Sequence, residues 1–90
     1  MSSLSEIINE GALIVDVRSV EEFDEEHYPG ALNIPVDEVP QRLHELGAKE
    51  TSVVLYCASG VRSAYAAKLL KGAGFTKVIN AGGLGDMPDR

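Results

Sequence analysis

The sequence has 90 residues, of which 14 are acidic and 8 basic, and its formal net charge is −6 at pH 7. This length suits one small domain over residues 1–90, and the negative charge argues against nucleic acid or an anionic membrane surface as a partner. A single cysteine excludes an internal disulfide, and the absence of a basic and apolar leader pattern makes a cytoplasmic location the expectation.

The first part of the chain predicts two short helices with a strand between them. Ser3 with Glu6, and Ser19 with Glu22, each form the capping-box pattern that typically opens a helix. Residues 12–17 are an apolar run that is too short for a helix. Such a run is typical of a strand that is buried on both faces.

The middle of the chain predicts a turn, a brief strand and a third helix. Pro29-Gly30 favours a turn, and residues 32–34 can form a short strand. Asp37 is a suitable N-cap for a helix through Leu46. Pro40 would fall in the first turn of that helix, where its missing N–H does little harm.

The last part of the chain repeats the alternation of strand and helix. Residues 52–56 predict a second buried strand, with Cys57 at its C-terminal end. A helix is expected from about residue 61 to 73, followed by a strand at 77–80 and a glycine-rich loop at 82–85. This order predicts a small three-layer α/β domain, in which a central parallel sheet of four to five short strands has helices on both faces.

The position of Cys57 favours a reactive thiol over an inert buried one. The strand that ends there is followed by Ala-Ser-Gly and then by a helix. Backbone N–H groups in such a turn can converge on an anion, and the helix N-terminus adds about half a positive charge. A thiolate is stabilised in that setting, so the pKa of Cys57 should lie below that of an ordinary thiol.

Arg62, five residues after the cysteine, has two interpretations. It can bind an anionic substrate directly, or it can brace the loop through carbonyl groups and a carboxylate such as Asp16 or Glu22. We favour bracing, because a rigid loop needs an anchor.

Four motifs in order resemble those of single-domain rhodaneses, a family of sulfurtransferases. Residues 57–63 match the pattern Cys-x-x-Gly-x-Arg-Ser/Thr, and residues 14–19 with 21–23 are similar to an Asp-x-Arg and Glu-Glu-Phe signature. Residues 27–35 resemble a His-x-Pro-Gly-Ala turn, and Gly82-Gly83 matches a glycine pair near the end of the family's domain.

This resemblance implies a fold with a central parallel sheet and an activity. The enzyme would move a sulfane sulfur from a donor such as thiosulfate, through a persulfide on Cys57, to a thiol or cyanide acceptor. A partner protein's persulfide could replace the small donor, and no cofactor is implied. Asp16 and Arg18 would support the site, and the sulfur would be held by the loop residues Ala58, Ser59, Gly60, Val61, Arg62 and Ser63.

Some features separate this chain from relatives and from other classes. Ala58 is neutral where relatives often carry a basic residue, which predicts weak affinity for thiosulfate. A non-catalytic binding module remains an alternative, although such domains have usually lost the cysteine. Cysteine phosphatases and arsenate reductases are less favoured, since their loops place five residues between Cys and Arg and this one places four. His27, His44 and Cys57 lack the spacing of a metal site.

Overall fold

The computed structural model describes residues 3–89; Met1, Ser2 and Arg90 lie outside the described residues. A four-stranded parallel sheet of order β2-β1-β3-β4 forms the centre. Its strands are β1 (Leu13–Asp16), β2 (Leu32–Asn33), β3 (Ser52–Cys57) and β4 (Lys77–Gly83). The α-helices are α1 (Leu4–Asn9), α2 (Val20–Glu25) and α3 (Val61–Gly72). None of the helices in the described part of the chain is long and apolar enough to cross a membrane.

Both predicted capping boxes are present. Ser3 and Ser19 accept hydrogen bonds from the backbone N–H groups of Glu6 and Glu22, each at 3.2 Å. The two glutamates return the interaction to the backbone N–H of their serines. These reciprocal bonds satisfy N–H groups that a helix start leaves unpaired, which explains why helices as short as six residues begin there.

The sheet separates two apolar clusters, because successive side chains of a strand point to opposite faces. Val53, Leu55 and Cys57 of β3 belong to one cluster, together with residues of α3. Val54 and Tyr56 belong to the other cluster, against which α1 packs. Helices therefore cover both faces of the sheet, as the sequence predicts.

The prediction of one α-helix from Asp37 to Leu46 is wrong. This segment forms two 3-10 helices, Val36–Gln41 and Leu43–Leu46. Its hydrogen bonds run three residues back, from Arg42 N to the Val39 carbonyl at 3.0 Å for example. The observed helix begins at Val36, one residue before the predicted N-cap, so Pro40 lies beyond the first turn. An α-helix from this start would need the N–H that Pro40 lacks.

The last strand is longer than predicted. It continues past Asn80 to Gly83, where a loop was expected. An irregularity in the pairing with β3 permits this: Leu55 pairs with Asn80, whereas Tyr56 pairs with Gly82. Gly82 has a φ of +96°, which suits glycine, so the strand bends without losing its partner. The bend brings the glycine pair beside the loop that follows β3.

Candidate active site

Cys57 ends β3 at the carboxyl edge of the sheet, and residues 58–60 connect it to α3. Gly60, the N-cap of α3, has a φ of +97°. This left-handed conformation turns the chain back over the cysteine, and a side chain at Gly60 would also crowd the Gly82 Cα at 3.3 Å. The local sequence therefore closes a tight loop around one sulfur atom.

The sulfur of Cys57 lies inside a set of hydrogen-bond donors. Gly60 N and Ser63 N donate to Sγ at 2.9 and 3.4 Å, and Ser63 Oγ lies 3.3 Å from it. Burial of the thiol opposes its ionisation, but hydrogen bonds from Ser63, Gly60 and Ser59 outweigh burial, and the pKa of Cys57 is lowered. The direction of this shift agrees with the sequence expectation, and it favours the nucleophilic form of the thiol.

The residues of the loop differ in accessibility. Cys57 is 0% exposed, whereas the neighbouring Ala58 and Ser59 are exposed. Val61 is 75% exposed, so its side chain contributes no wall to the sulfur site. Of the six loop residues predicted to hold the sulfur, Gly60 and Ser63 direct hydrogen bonds to Sγ.

Arg62 pairs with Glu22 through two hydrogen bonds. Nη1 and Nη2 donate to Oε1 and Oε2 at 2.7 and 3.1 Å. Glu22 also closes the capping box of α2. The Arg62 hydrogen bond, with help from Ser19, lowers the pKa of Glu22 to about 2, so the pair stays ionised at neutral pH. The start of α3 is thereby tied to the start of α2, which supports the bracing interpretation of Arg62.

Replacement of Arg62 by lysine should reduce sulfur transfer by roughly tenfold, because an ammonium group cannot form both bonds of the planar guanidinium. The matched control is Arg42→Lys. Arg42 forms a comparable two-bond pair with Glu45, at 2.6 and 2.9 Å, outside the loop. Steady-state kinetics should show a defect in Arg62→Lys alone. Normal kinetics in Arg62→Lys would show that Arg62 acts through its charge alone or not at all.

Asp16, the last residue of β1, and Arg18 bind each other. Arg18 Nη2 donates to Asp16 Oδ2 at 2.7 Å and to the Glu26 carbonyl at 2.6 Å. Both residues are buried, and the guanidinium lies over the Tyr56 ring, 5.7 Å from its centroid. Tyr56 precedes Cys57 but faces the opposite side of the sheet. The support of the site by Asp16 and Arg18 stays a prediction.

Two residues near the loop were missed by sequence reasoning. Asn80 accepts a hydrogen bond from Ser63 Oγ at 2.6 Å and donates one to the Gly60 carbonyl at 3.3 Å. Asp86 accepts a hydrogen bond from Gly83 N at 2.8 Å. For Asn80, the sequence offered one signal: a polar residue at the end of an apolar strand, two positions before the glycine pair.

Comparison with known proteins identifies the family. The model of the rhodanese-like domain matches residues 1–85 of this chain. The chain belongs to the rhodanese-like domain family.

Among relatives of this rhodanese-like domain is the thiosulfate sulfurtransferase PspE of Escherichia coli K12. It is 42% identical over 74 residues, which cover 81% of this chain and 71% of PspE. A sulfurtransferase of Allochromatium vinosum is 38% identical over 74 residues, covering 82% of this chain and 68% of that protein. YrkF of Bacillus subtilis is 43% identical over 72 residues, which are 80% of this chain but 38% of YrkF.

Solved structures agree with this assignment. A rhodanese with anions from E. coli superposes with a TM-score of 0.81 at 41% identity, covering 87% of this chain and 95% of that one. A rhodanese-like domain protein from Staphylococcus aureus gives 0.81 at 32% identity, with coverage of 97% and 89%. The predictions of the family, of the α/β fold and of the sulfurtransferase class of enzyme are thus confirmed.

Proposed function

We propose that this rhodanese-like domain transfers a sulfane sulfur from a small donor to a thiol or cyanide acceptor through a persulfide on Cys57. One observation carries the proposal: the sulfur of the single cysteine receives backbone N–H donors from Gly60 and Ser63, at 2.9 and 3.4 Å. Donors in this arrangement stabilise a thiolate before reaction. They can stabilise the negative terminal sulfur of a persulfide afterwards. A cytoplasmic setting remains part of the proposal.

The reaction consists of two displacements at sulfur. The Cys57 thiolate attacks the outer sulfur of thiosulfate, a new S–S bond forms, and sulfite leaves with the electron pair of the bond that breaks. The acceptor's nucleophile then attacks the outer sulfur of the persulfide, and Cys57 leaves as a thiolate. Because Cys57 is 0% exposed, atoms around it must shift to admit the donor. A partner protein's persulfide could serve as the donor in the same way.

The side chains around the sulfur favour a low affinity for thiosulfate. Ala58, Ser59 and Val61 are neutral, and the nearby cation Arg62 is already paired with Glu22. A departing sulfite therefore receives help from the backbone and the helix N-terminus but little from basic side chains. Thiosulfate should form the persulfide with a high KM.

Replacement of Ala58 by arginine should lower the thiosulfate KM by roughly three- to tenfold, because a cation would lie beside the departing sulfite. The matched control is Ala48→Arg, which adds the same charge at an exposed position before the amino end of β3, away from the loop. Steady-state kinetics with thiosulfate and with an uncharged organic polysulfide separate the effects. Equal changes with both donors, or none with either, would show that loop charge does not set donor preference.

A further inference from the structure

Ser63 stands between the reactive sulfur and the side chain of Asn80. Its hydroxyl is buried and lies 3.3 Å from Cys57 Sγ and 2.6 Å from Asn80 Oδ1. The Gly82 carbonyl is a third neighbour, at 3.4 Å. A serine hydroxyl carries one hydrogen, so it can donate to only one of these acceptors at a time.

The orientation of the Asn80 amide follows from its other partners. Oδ1 accepts from Gly82 N at 3.0 Å, and Nδ2 donates to the Gly60 carbonyl at 3.3 Å. Turning the amide over would place its NH₂ group against the Gly82 N–H and its oxygen against the Gly60 carbonyl. Both contacts would be repulsive, so the oxygen of Asn80 is the atom that faces Ser63.

We propose that Asn80 is a positioning residue that competes with the Cys57 thiolate for the hydroxyl hydrogen of Ser63, and so holds back ionisation of the cysteine. In the thiol form, Cys57 S–H donates to Ser63 Oγ, and Ser63 donates to Asn80. When the thiol proton leaves to solvent, the Ser63 O–H turns to the sulfur. Asn80 then loses the Ser63 bond and keeps the one from Gly82 N. The Asn80–Ser63 bond therefore stabilises the thiol form alone.

The loop itself depends less on Asn80 than the sulfur does. The Gly60 carbonyl that Asn80 contacts also accepts the helical hydrogen bond from Ala64 N at 3.0 Å. Asn80 is exposed and lies on β4, an edge strand of the sheet. Loss of its side chain should therefore leave the loop and the fold in place.

The charged groups near the sulfur are the same in all variants that test this proposal, apart from the negative charge that Asn80→Asp adds. They come from α3, α2, β1 with the residues after it, and the segment after β4. Two pairs, Arg62 with Glu22 and Arg18 with Asp16, are internally neutral. Asp86 binds Gly83 N. Differences among the neutral variants then report on the hydroxyl hydrogen of Ser63.

The test is titration of the single thiol, by thiolate absorbance and by the pH profile of alkylation, in the wild type and five variants. These are Asn80→Ala, Asn80→Asp, Ser63→Ala, and Ser63→Ala combined with each of the two Asn80 changes. Asn80→Ala should lower the titration midpoint by about 0.5–1 unit, the amount expected from losing one hydrogen bond made only by the thiol form. Asn80→Asp, a stronger acceptor with a negative charge, should raise the midpoint. In a Ser63→Ala background, Asn80→Ala should produce no further shift, because the shared hydroxyl is gone.

An unchanged or raised midpoint in Asn80→Ala would overturn the proposal. So would an equal decrease in the Ser63→Ala background, which would show that Asn80 acts without Ser63. Asn80→Asp preserves the size of the side chain, and its negative charge alone raises the midpoint. If the alanine variant folds poorly, the proposal therefore requires that this rise be smaller in the Ser63→Ala background, and an equal rise there would overturn it. The inference deepens the proposed function, because it concerns the same cysteine. The titration needs no sulfur donor, so a protein that fails to transfer sulfur can still pass or fail this test.

Discussion

Replacement of Cys57 by serine is expected to reduce sulfur transfer by at least about a thousandfold, to the background of the assay. A serine hydroxyl is not ionised at neutral pH and cannot form a persulfide. Cys57 is the only thiol in the chain, so no other residue can replace it as the sulfur carrier. The measurement is thiocyanate production from thiosulfate and cyanide, with far-UV circular dichroism of each variant.

The fold of the Cys57→Ser variant should survive, because serine is slightly smaller and its oxygen can accept from the same donors. Gly60 N and Ser63 N would remain paired with the side chain of residue 57. Cys57→Ala is the companion variant, since it removes the acceptor altogether and separates loss of chemistry from loss of structure. Turnover retained by a correctly folded Cys57→Ser protein would show that the transferred sulfur is not carried on this residue.

Replacement of Gly83 by alanine should lower the stability of the protein by about 1–3 kcal/mol, the usual cost of overpacking. It should also reduce sulfur transfer by at least tenfold. A Cβ at Gly83 would overlap the backbone carbonyl oxygen of Ala58 and lie 3.0 Å from its carbon. Because Ala58 directly follows Cys57, relief of this overlap must move the loop or the end of β4. Backbone atoms cannot give way as a flexible side chain can.

The matched control for this change is Gly85→Ala, two residues further along the chain. A Cβ there meets nothing within 4 Å, and Gly85 does not have a positive φ. Thermal unfolding should show a melting temperature lower by roughly 5 °C or more in Gly83→Ala and near the wild-type value in Gly85→Ala. Similar stability and activity in the two variants would contradict close packing of the glycine pair on the loop.

Local patterns were sufficient to predict the framework of the molecule. The capping boxes at Ser3 and Ser19 depend on residues three positions apart, and the structure contains both. The apolar runs around Val15 and Val54 predicted parallel strands that are buried on both faces. Because parallel strands end at one edge, Cys57 could be placed in a loop at that edge.

The features that the sequence did not predict depend on contacts between distant segments. The bulge that carries Gly82 and Gly83 into β4 depends on how this strand pairs with β3. The hydrogen bond between Ser63 and Asn80 joins residues 17 positions apart. The sequence of β4 alone does not specify the register in which β4 pairs with β3.

The partner of Arg62 shows a second limit of sequence reasoning. Asp16 and Glu22 were both reasonable carboxylates for it. In the structure, Asp16 is already paired with Arg18. The backbone N–H and the guanidinium of Arg18 donate to the Asp16 carboxylate at 2.9 and 2.7 Å. Glu22 is left for Arg62, so the choice is settled by competition among side chains and not by the spacing of any one motif.

The central claim, that Cys57 carries the sulfur as a persulfide, is tested most directly by intact-protein mass spectrometry. After exposure to thiosulfate, the wild type should gain about 32 Da, the mass of one sulfur atom on a thiol. Peptide mapping should place this gain on Cys57, and cyanide should remove it with release of thiocyanate. Absence of the added mass while the same sample turns over thiosulfate and cyanide, or a gain that cyanide does not remove, would contradict the account.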